Sequence, residues 1–362
     1  MKQKCAIFTI VMFLGILAHA QKFVYTDASE FPVYGKISEK TNERYERLPS
    51  ELENVSRKDV WRLGRSSAGL YIRFRSNTTS MRVKWQSTFD NEQNHMTDLG
   101  TRGLDLYALV NGEWRAVAPV RPTSKGVNEW TIIRNMLPEQ REYMLYLSLY
   151  DGVKSLEIGV DEGAYIGQPE VASPSTEKPI VMYGSSILQG GCASRPGMAY
   201  TNIIGRRFDR EVFNLGFSGK SKLQREFAEY LADVEADAFI FDAFSNPSAE
   251  IIHEQFDAFV DIVRAAHPGV PLIFMQTERR ETRNFDTSRE DFEARKQAAA
   301  EEEIRDRMKT DKHIYFIPSD DFLGKEHIAT SDGSHPTDLG FTYMLESISP
   351  KILKILRKYG IK

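Results

Sequence analysis

Two kinds of hydrophobic pattern divide the chain. From Gln21 to about Gly167 apolar and polar residues alternate with a period of two. Leu70-Tyr71-Ile72-Arg73-Phe74-Arg75 shows it, as do Ser80-Met81-Arg82-Val83-Lys84-Trp85 and Leu156-Glu157-Ile158-Gly159-Val160. Such alternation sets one face of a strand on a core and the other toward solvent. Turn signals at Ser76-Asn77, Asn111-Gly112 and Asp151-Gly152 separate the runs. No helical period intervenes, so residues 21–167 read as an all-β sandwich, jelly-roll-like in kind.

Residues 168–178, QPEVASPSTEK, lack periodicity and read as a linker. From residue 179 to 362 short, continuously apolar runs alternate with helical stretches. The runs are Ile180–Tyr183, Val212–Leu215, Ala238–Phe241, Pro271–Met275 and Ile314–Ile317. Helices are expected near Ala199–Phe208, Leu223–Leu231, Ile251–Ala266, Arg289–Met308 and Asp338–Tyr359. Strands apolar on both faces, each followed by a helix, predict a parallel sheet covered on both sides. Ligands in such α/β folds bind beyond the carboxyl ends of the strands.

The first residues change the picture of where the chain works. Lysines at positions 2 and 4, an apolar run from Ala6 to Leu17 and Ala18-His19-Ala20 read as a signal peptide, residues 1–20, cleaved after Ala20. The run is short for a membrane span, so no stable membrane insertion is expected after cleavage. The mature chain is expected to be secreted or periplasmic. It keeps only Cys192, which leaves no internal disulfide. A formal net charge of −4 argues against a nucleic-acid partner.

The candidate chemistry lies at strand ends. Gly184-Ser185-Ser186 follows the first apolar run, and Ser331-Asp332-Gly333-Ser334-His335-Pro336 precedes the last helix. A serine hydroxyl needs a base within hydrogen-bond reach, and the base needs an orienting group. Asp332 and His335, three residues apart around a glycine, fit one tight turn in which the carboxylate holds one ring nitrogen and leaves the other for the serine. Each piece alone also reads as a helix cap or a polar turn. Cys192 is a weaker rival nucleophile, and the other histidines show no ligand spacing; no metal and no cofactor are expected. His253 and His267 read as surface or core fillers.

Taken together, these pieces resemble the SGNH (GDSL-type) serine hydrolases, whose motifs are spread over a flavodoxin-like α/β domain. The resemblance implies Ser186 as nucleophile, with Ser185 in the place of the family's Asp. Asn214-Leu215-Gly216-Phe217-Ser218-Gly219 matches the second block, with Gly219 as an amide donor. Phe244-Ser245-Asn246-Pro247 keeps only the Asn of the third block, and Asp332 and His335 match the fifth. Gly103-Leu104-Asp105-Leu106-Tyr107 resembles the GxDLY signature of a β domain that precedes one branch of the family. In that branch the third block often reads Asp-x-x-x-Asn, which Asp242 to Asn246 fits. The implied activity is ester hydrolysis by Ser186, His335 and Asp332, with the Ser186 and Gly219 amides and Asn246 facing the oxyanion. The expected substrate is an acylated, in particular an acetylated, carbohydrate. A lipid or aryl esterase or thioesterase of the same mechanism, or an inactive glycan-binding protein, are the alternatives. Trp85, Trp114 and Trp130 are candidate sugar platforms, with core packing as their plainer role.

Overall fold

The computed structural model describes residues 21–174, 178–319 and 322–361. The expected signal peptide lies outside the described residues, as does part of the expected linker. Five parallel strands form the sheet of the second half, in the order Val212–Gly216, Ile180–Gly184, Ala238–Asp242, Leu272–Met275 and Ile314–Ile317. The second strand in sequence thus lies outside the first, and the third, fourth and fifth continue on its other side. The first three strands in sequence are buried at every position. Their apolar runs lack alternation because helices cover both faces.

One face carries Phe227, Phe256, Val260 and Ala300, and the other carries Tyr200, Ile204, Phe341 and Ile348. The strand order reverses around Ile180–Gly184, and such a switch point opens a crevice beyond the strand ends. Ser186 begins the short helix Ser186–Gln189 there.

The first half is a pair of antiparallel sheets. One runs Phe23–Asp27, Val153–Asp161, Met81–Ser87 and Val127–Ile133; the other centres on Tyr71–Ser76, Arg141–Tyr146, Leu104–Val110 and Glu113–Val120. Phe74, Val83, Trp85, Leu106 and Ile158 fill the space between them. Met81–Ser87 alternates buried and half-buried residues along its length, as its sequence predicts.

The structure departs from the sequence reading in two places here. Helices do occur in this half, at Lys58–Gly64 and Asp98–Arg102. Both are too short to show a period, and the first packs Val60 and Trp61 against the core of the α/β half rather than its own. Tyr71–Ser76, expected to face solvent on one side, is almost wholly buried. Arg73 is fully buried on its outer face, paired with Glu142 at 2.8 Å, set over the Trp114 ring and donating to the Val171 carbonyl of the following segment.

The GxDLY stretch explains itself at this seam. Asp105 Oδ2 accepts hydrogen bonds from Arg195 Nε and the Gly197 amide, both at 3.0 Å. Tyr107 lies under the Arg206 guanidinium, 4.1 Å from its ring centre. Arg47 reaches across as well, donating to the carbonyls of Asn214 and Gly216. The two halves therefore share buried polar contacts that neither satisfies alone.

Candidate active site

The strand Ile180–Gly184 delivers two serines to the crevice, and they part ways at once. Ser185 is fully buried; its hydroxyl accepts from the Ile187 amide at 3.2 Å and caps the short helix. Its own amide donates to the Asp242 carbonyl. Ser186 points the other way, and its Oγ lies 2.8 Å from His335 Nε2. The turn behind it is tight. A side-chain carbon on Gly191 would stand 3.0 Å from the Ser186 carbonyl oxygen and 3.1 Å from the His335 ring, so glycine is needed there for space.

The imidazole comes from Ser331–Pro336. Gly333 has φ +82, which lets the turn close. Asp332 Oδ1 accepts from the amides of Ser334 and His335, at 3.0 and 2.8 Å, and Oδ2 meets His335 Nδ1 at 2.8 Å. Burial works to raise the Asp332 carboxyl, but the His335 amide, its ring and the Ser334 amide outweigh it and hold the group below its ordinary value. Serine, imidazole and carboxylate thus form one hydrogen-bonded line.

Gly219 and Asn246 make no hydrogen bond to Ser186 or His335 among the described residues. Gly219 is exposed in a turn, with φ +69 and open space on its Cα. Next to it, the Ser218 amide donates to Gln189 Oε1 at 3.1 Å, which ties that turn to the helix of Ser186. Asn246 is half-buried, and its Oδ1 is buried with no partner among the described residues. Asp242 does not reach the imidazole. It lies behind the nucleophile turn and accepts from the Tyr200 hydroxyl, while burial and then the nearby Glu278 push its carboxyl well above the ordinary range.

A single segment holds the turns of Asn246 and His335. Arg280 Nη2 donates to the Ser245 carbonyl at 3.0 Å, aided by Lys296 Nζ at 3.2 Å. The neighbouring Glu281 donates its amide to the Gly333 carbonyl at 2.9 Å and accepts from the Thr330 hydroxyl. No motif flagged this segment; the only trace is the charged run Glu278-Arg279-Arg280-Glu281 after a buried strand.

The β half supplies a wall that sequence reasoning missed. Tyr150 is buried and donates from its hydroxyl to the Ser186 carbonyl at 3.2 Å. His95 stands over His335, ring centres 5.0 Å apart, and its Nδ1 meets Asn94 Oδ1 at 3.0 Å. Burial, then the adjacent His335, lower the His95 pKa. The signal for His95 was the stretch 88–97, polar and aperiodic between two ordered elements; such loops carry function more often than their sequence pattern suggests. The same loop gives Phe89, Asn91 and Gln93 to a cleft of about 280 Å³, faced by Arg62, Tyr150 and Ser218.

The three tryptophans lie elsewhere. Trp85 is fully buried in the sandwich, Trp130 packs on that core, and Trp114 donates to Ser173 Oγ at the seam. His253 pairs with Glu303, and His267 stacks on Phe239. Cys192 lies beside His335 with φ +65, and burial pushes its thiol up to about 11. Its Sγ donates to the His95 carbonyl at 3.4 Å, whereas Ser186 Oγ is the group in line with His335 Nε2.

Comparison with known proteins places this geometry in a lineage. The GDSL-like lipase/acylhydrolase family matches residues 177–353, and the N-terminus of the SGNH-hydrolase-type esterases, called GxDLY, matches residues 22–166. A GDSL-like lipase from Bacteroides ovatus is 39% identical, with a TM-score of 0.89, covering 93% of this chain and 98% of its own. The chain belongs to the GDSL-like lipase/acylhydrolase family, in the branch with a GxDLY N-terminus. A salicylyl-acyltransferase from a tetracycline biosynthetic pathway shares the fold at 16% identity and a TM-score of 0.70, covering 93% of this chain and 98% of its own. A family two carbohydrate esterase from Cellvibrio japonicus does so at 12% and 0.58, covering 93% and 99%. No curated protein matches the chain.

Proposed function

We propose that the protein is a secreted or periplasmic serine esterase that removes O-acetyl groups from carbohydrates. The observation that carries the chemistry is the continuous line from Ser186 Oγ through the His335 ring to Asp332, with both links at 2.8 Å. His335 Nε2 takes the hydroxyl proton as Ser186 Oγ attacks the ester carbonyl. Asp332 accepts from Nδ1–H, fixes the tautomer and stabilises the imidazolium. Negative charge then develops on the former carbonyl oxygen. The Ser186 amide, the Gly219 amide and the Asn246 side chain are the donors for it, and a preorganised donor acts only as that charge appears. His335 returns the proton to the departing sugar oxygen, and water releases acetate by the same steps in reverse order.

The adjoining cleft sets hydrogen-bonding side chains beside an apolar face, which supports a sugar as the substrate. Arg62 donates to Asn91 Oδ1 at 3.3 Å and, with Gln93, presents hydrogen-bonding groups there, with Phe89 as the apolar face. Carbohydrate esterases also use this two-part fold, which is a likeness of fold only.

Acetate release from a panel of acetylated polysaccharides tests the reading. Turnover that vanishes in Ser186→Ala is expected. Faster cleavage of long-chain than of acetyl p-nitrophenyl esters, with no acetate from any glycan, overturns the carbohydrate assignment. No Ser186-dependent turnover of any ester overturns the enzyme.

A further inference from the structure

The face of His335 turned away from Asp332 is crowded with groups the ester chemistry does not use. We propose that His95, Cys192 and His335 form an inhibitory site for a soft divalent cation, with Zn²⁺ as the test ion. One ligand atom from each residue lies within 4.8 Å of the other two. The three come from three separate stretches: the loop 88–97 of the β half, the turn after the nucleophile helix, and the turn before the last helix. Two nitrogens and a sulfur are the donor set that zinc prefers over magnesium or calcium.

Both rings are already set for the task. Asp332 engages His335 at Nδ1, so Nε2, which now meets Ser186 Oγ, is the nitrogen left to ligate. Asn94 engages His95 at Nδ1 in the same way. A ligating histidine whose other nitrogen is held by a carboxylate or carbonyl oxygen is the usual outer arrangement of a zinc site. Around tetrahedral Zn²⁺ the ligand atoms stand roughly 3.3–3.6 Å apart, so this trio must close by about one ångström. Closing that gap requires rotation of the Cys192 side chain, whose Sγ now donates to the His95 carbonyl at 3.4 Å, and a shift of the half-buried His95 loop. A shallow opening lined by Asn94, His95, Met96 and Asp332 gives the ion a way in.

Binding replaces the Cys192 S–H bond with a zinc–thiolate bond and releases the proton to solvent. Ser186 Oγ or a water fills the fourth position. The ion then occupies the lone pair of His335 Nε2 that must accept the Ser186 proton, and turnover stops. The inference concerns His335 as the esterase base, yet its binding arm stands without that activity.

The experiment titrates ZnCl₂ into the enzyme turning over p-nitrophenyl acetate, with MgCl₂ as control, for the wild type, Cys192→Ser and His95→Ala. Cys192 takes no part in the proposed ester chemistry, so Cys192→Ser keeps the basal rate. Losing a ligand costs no less than losing an outer partner, so each variant needs at least about tenfold more Zn²⁺ for the same inhibition. Chelator restores the rate. In parallel, Cd²⁺ gives the ultraviolet thiolate absorption with the wild type and none with Cys192→Ser; this arm reads the site even if no ester is cleaved. Absence of the Cd²⁺ band in the wild type overturns the proposal. So does zinc inhibition that is equal in all three proteins, which would place the ion elsewhere.

Discussion

The two turns that meet at Ser186 are built on different principles. The nucleophile turn is rigid by burial: Gly184, Ser185 and Ser186 are all buried, and the strand before them is covered on both faces. The base turn is half-exposed and owes its shape to local hydrogen bonds, with Asp332 accepting from two amides as well as the imidazole. A parallel sheet can thus fix one partner through packing while the other is fixed by hydrogen bonds, those of Asp332 within the turn and those of Glu281 from outside it. The lesson is that the proposed reaction depends on Asp332 twice, once for the fold of the turn and once for the tautomer of the ring.

Five substitutions break or sharpen that comparison. Ser186→Ala is the largest: esterase turnover should fall on the order of 10⁴–10⁶-fold, with the melting transition unchanged. Ser185→Ala, its neighbour, should instead cost about 1 kcal/mol of stability through the lost cap while most of the rate survives. A swap of these two outcomes, read by kinetics and thermal unfolding together, sinks the assignment.

Asp332→Asn comes next. The ring can then take the wrong tautomer, and turnover should drop by roughly 10⁴-fold. Because the turn also loses two charge-assisted amide bonds, the segment around Gly333 should become less protected from hydrogen exchange. A rate loss without any change in exchange would show that the Glu281 contacts to Gly333 and Thr330 hold the turn by themselves.

Asn246→Ala addresses the oxyanion side. Turnover should fall by about 10²–10³-fold with little change in KM, since the donor matters only as charge develops. A normal kcat would mean that the half-buried Asn246 does not face the reacting carbonyl.

The last substitution concerns the seam. Burial raises the Asp105 carboxyl from 3.8 to about 6, against the pull of Arg195 and the Gly197 amide. The folded chain therefore keeps this proton to higher pH than the unfolded chain does. Its contribution makes stability fall as pH rises from about 4 to about 6 and stay level above that, by about 3 kcal/mol in all. Asp105→Asn should flatten this part of the pH–melting curve. A curve unchanged in Asp105→Asn would assign the slope to other buried acids.

Much of this was written in the sequence. Unbroken apolar runs located all five parallel strands to within a residue or two, because burial on both faces removes any need for alternation. Ser186, Asp332 and His335 stood out because a turn requires glycine and a triad requires a fixed set of groups. Alternation found the strand Met81–Ser87 and placed Trp85 on its buried face. Alternation failed at Arg73, where a second layer covers the face that the pattern assigned to water.

Local spacing determined what each segment becomes and which residues are candidates for the proposed acyl transfer. Only the tertiary structure decided who stands beside them. Asp105 meets Arg195 across 90 residues of chain, and Ser186 meets the Tyr150 hydroxyl across 36 and His335 across 149. A period or a motif reports the forces within a few turns of chain. A contact between distant segments forms because two faces bury each other, and neither segment records its partner. His95 over the imidazole is such a contact: its polar loop, without period, holds nothing by which the sequence alone would bring it there.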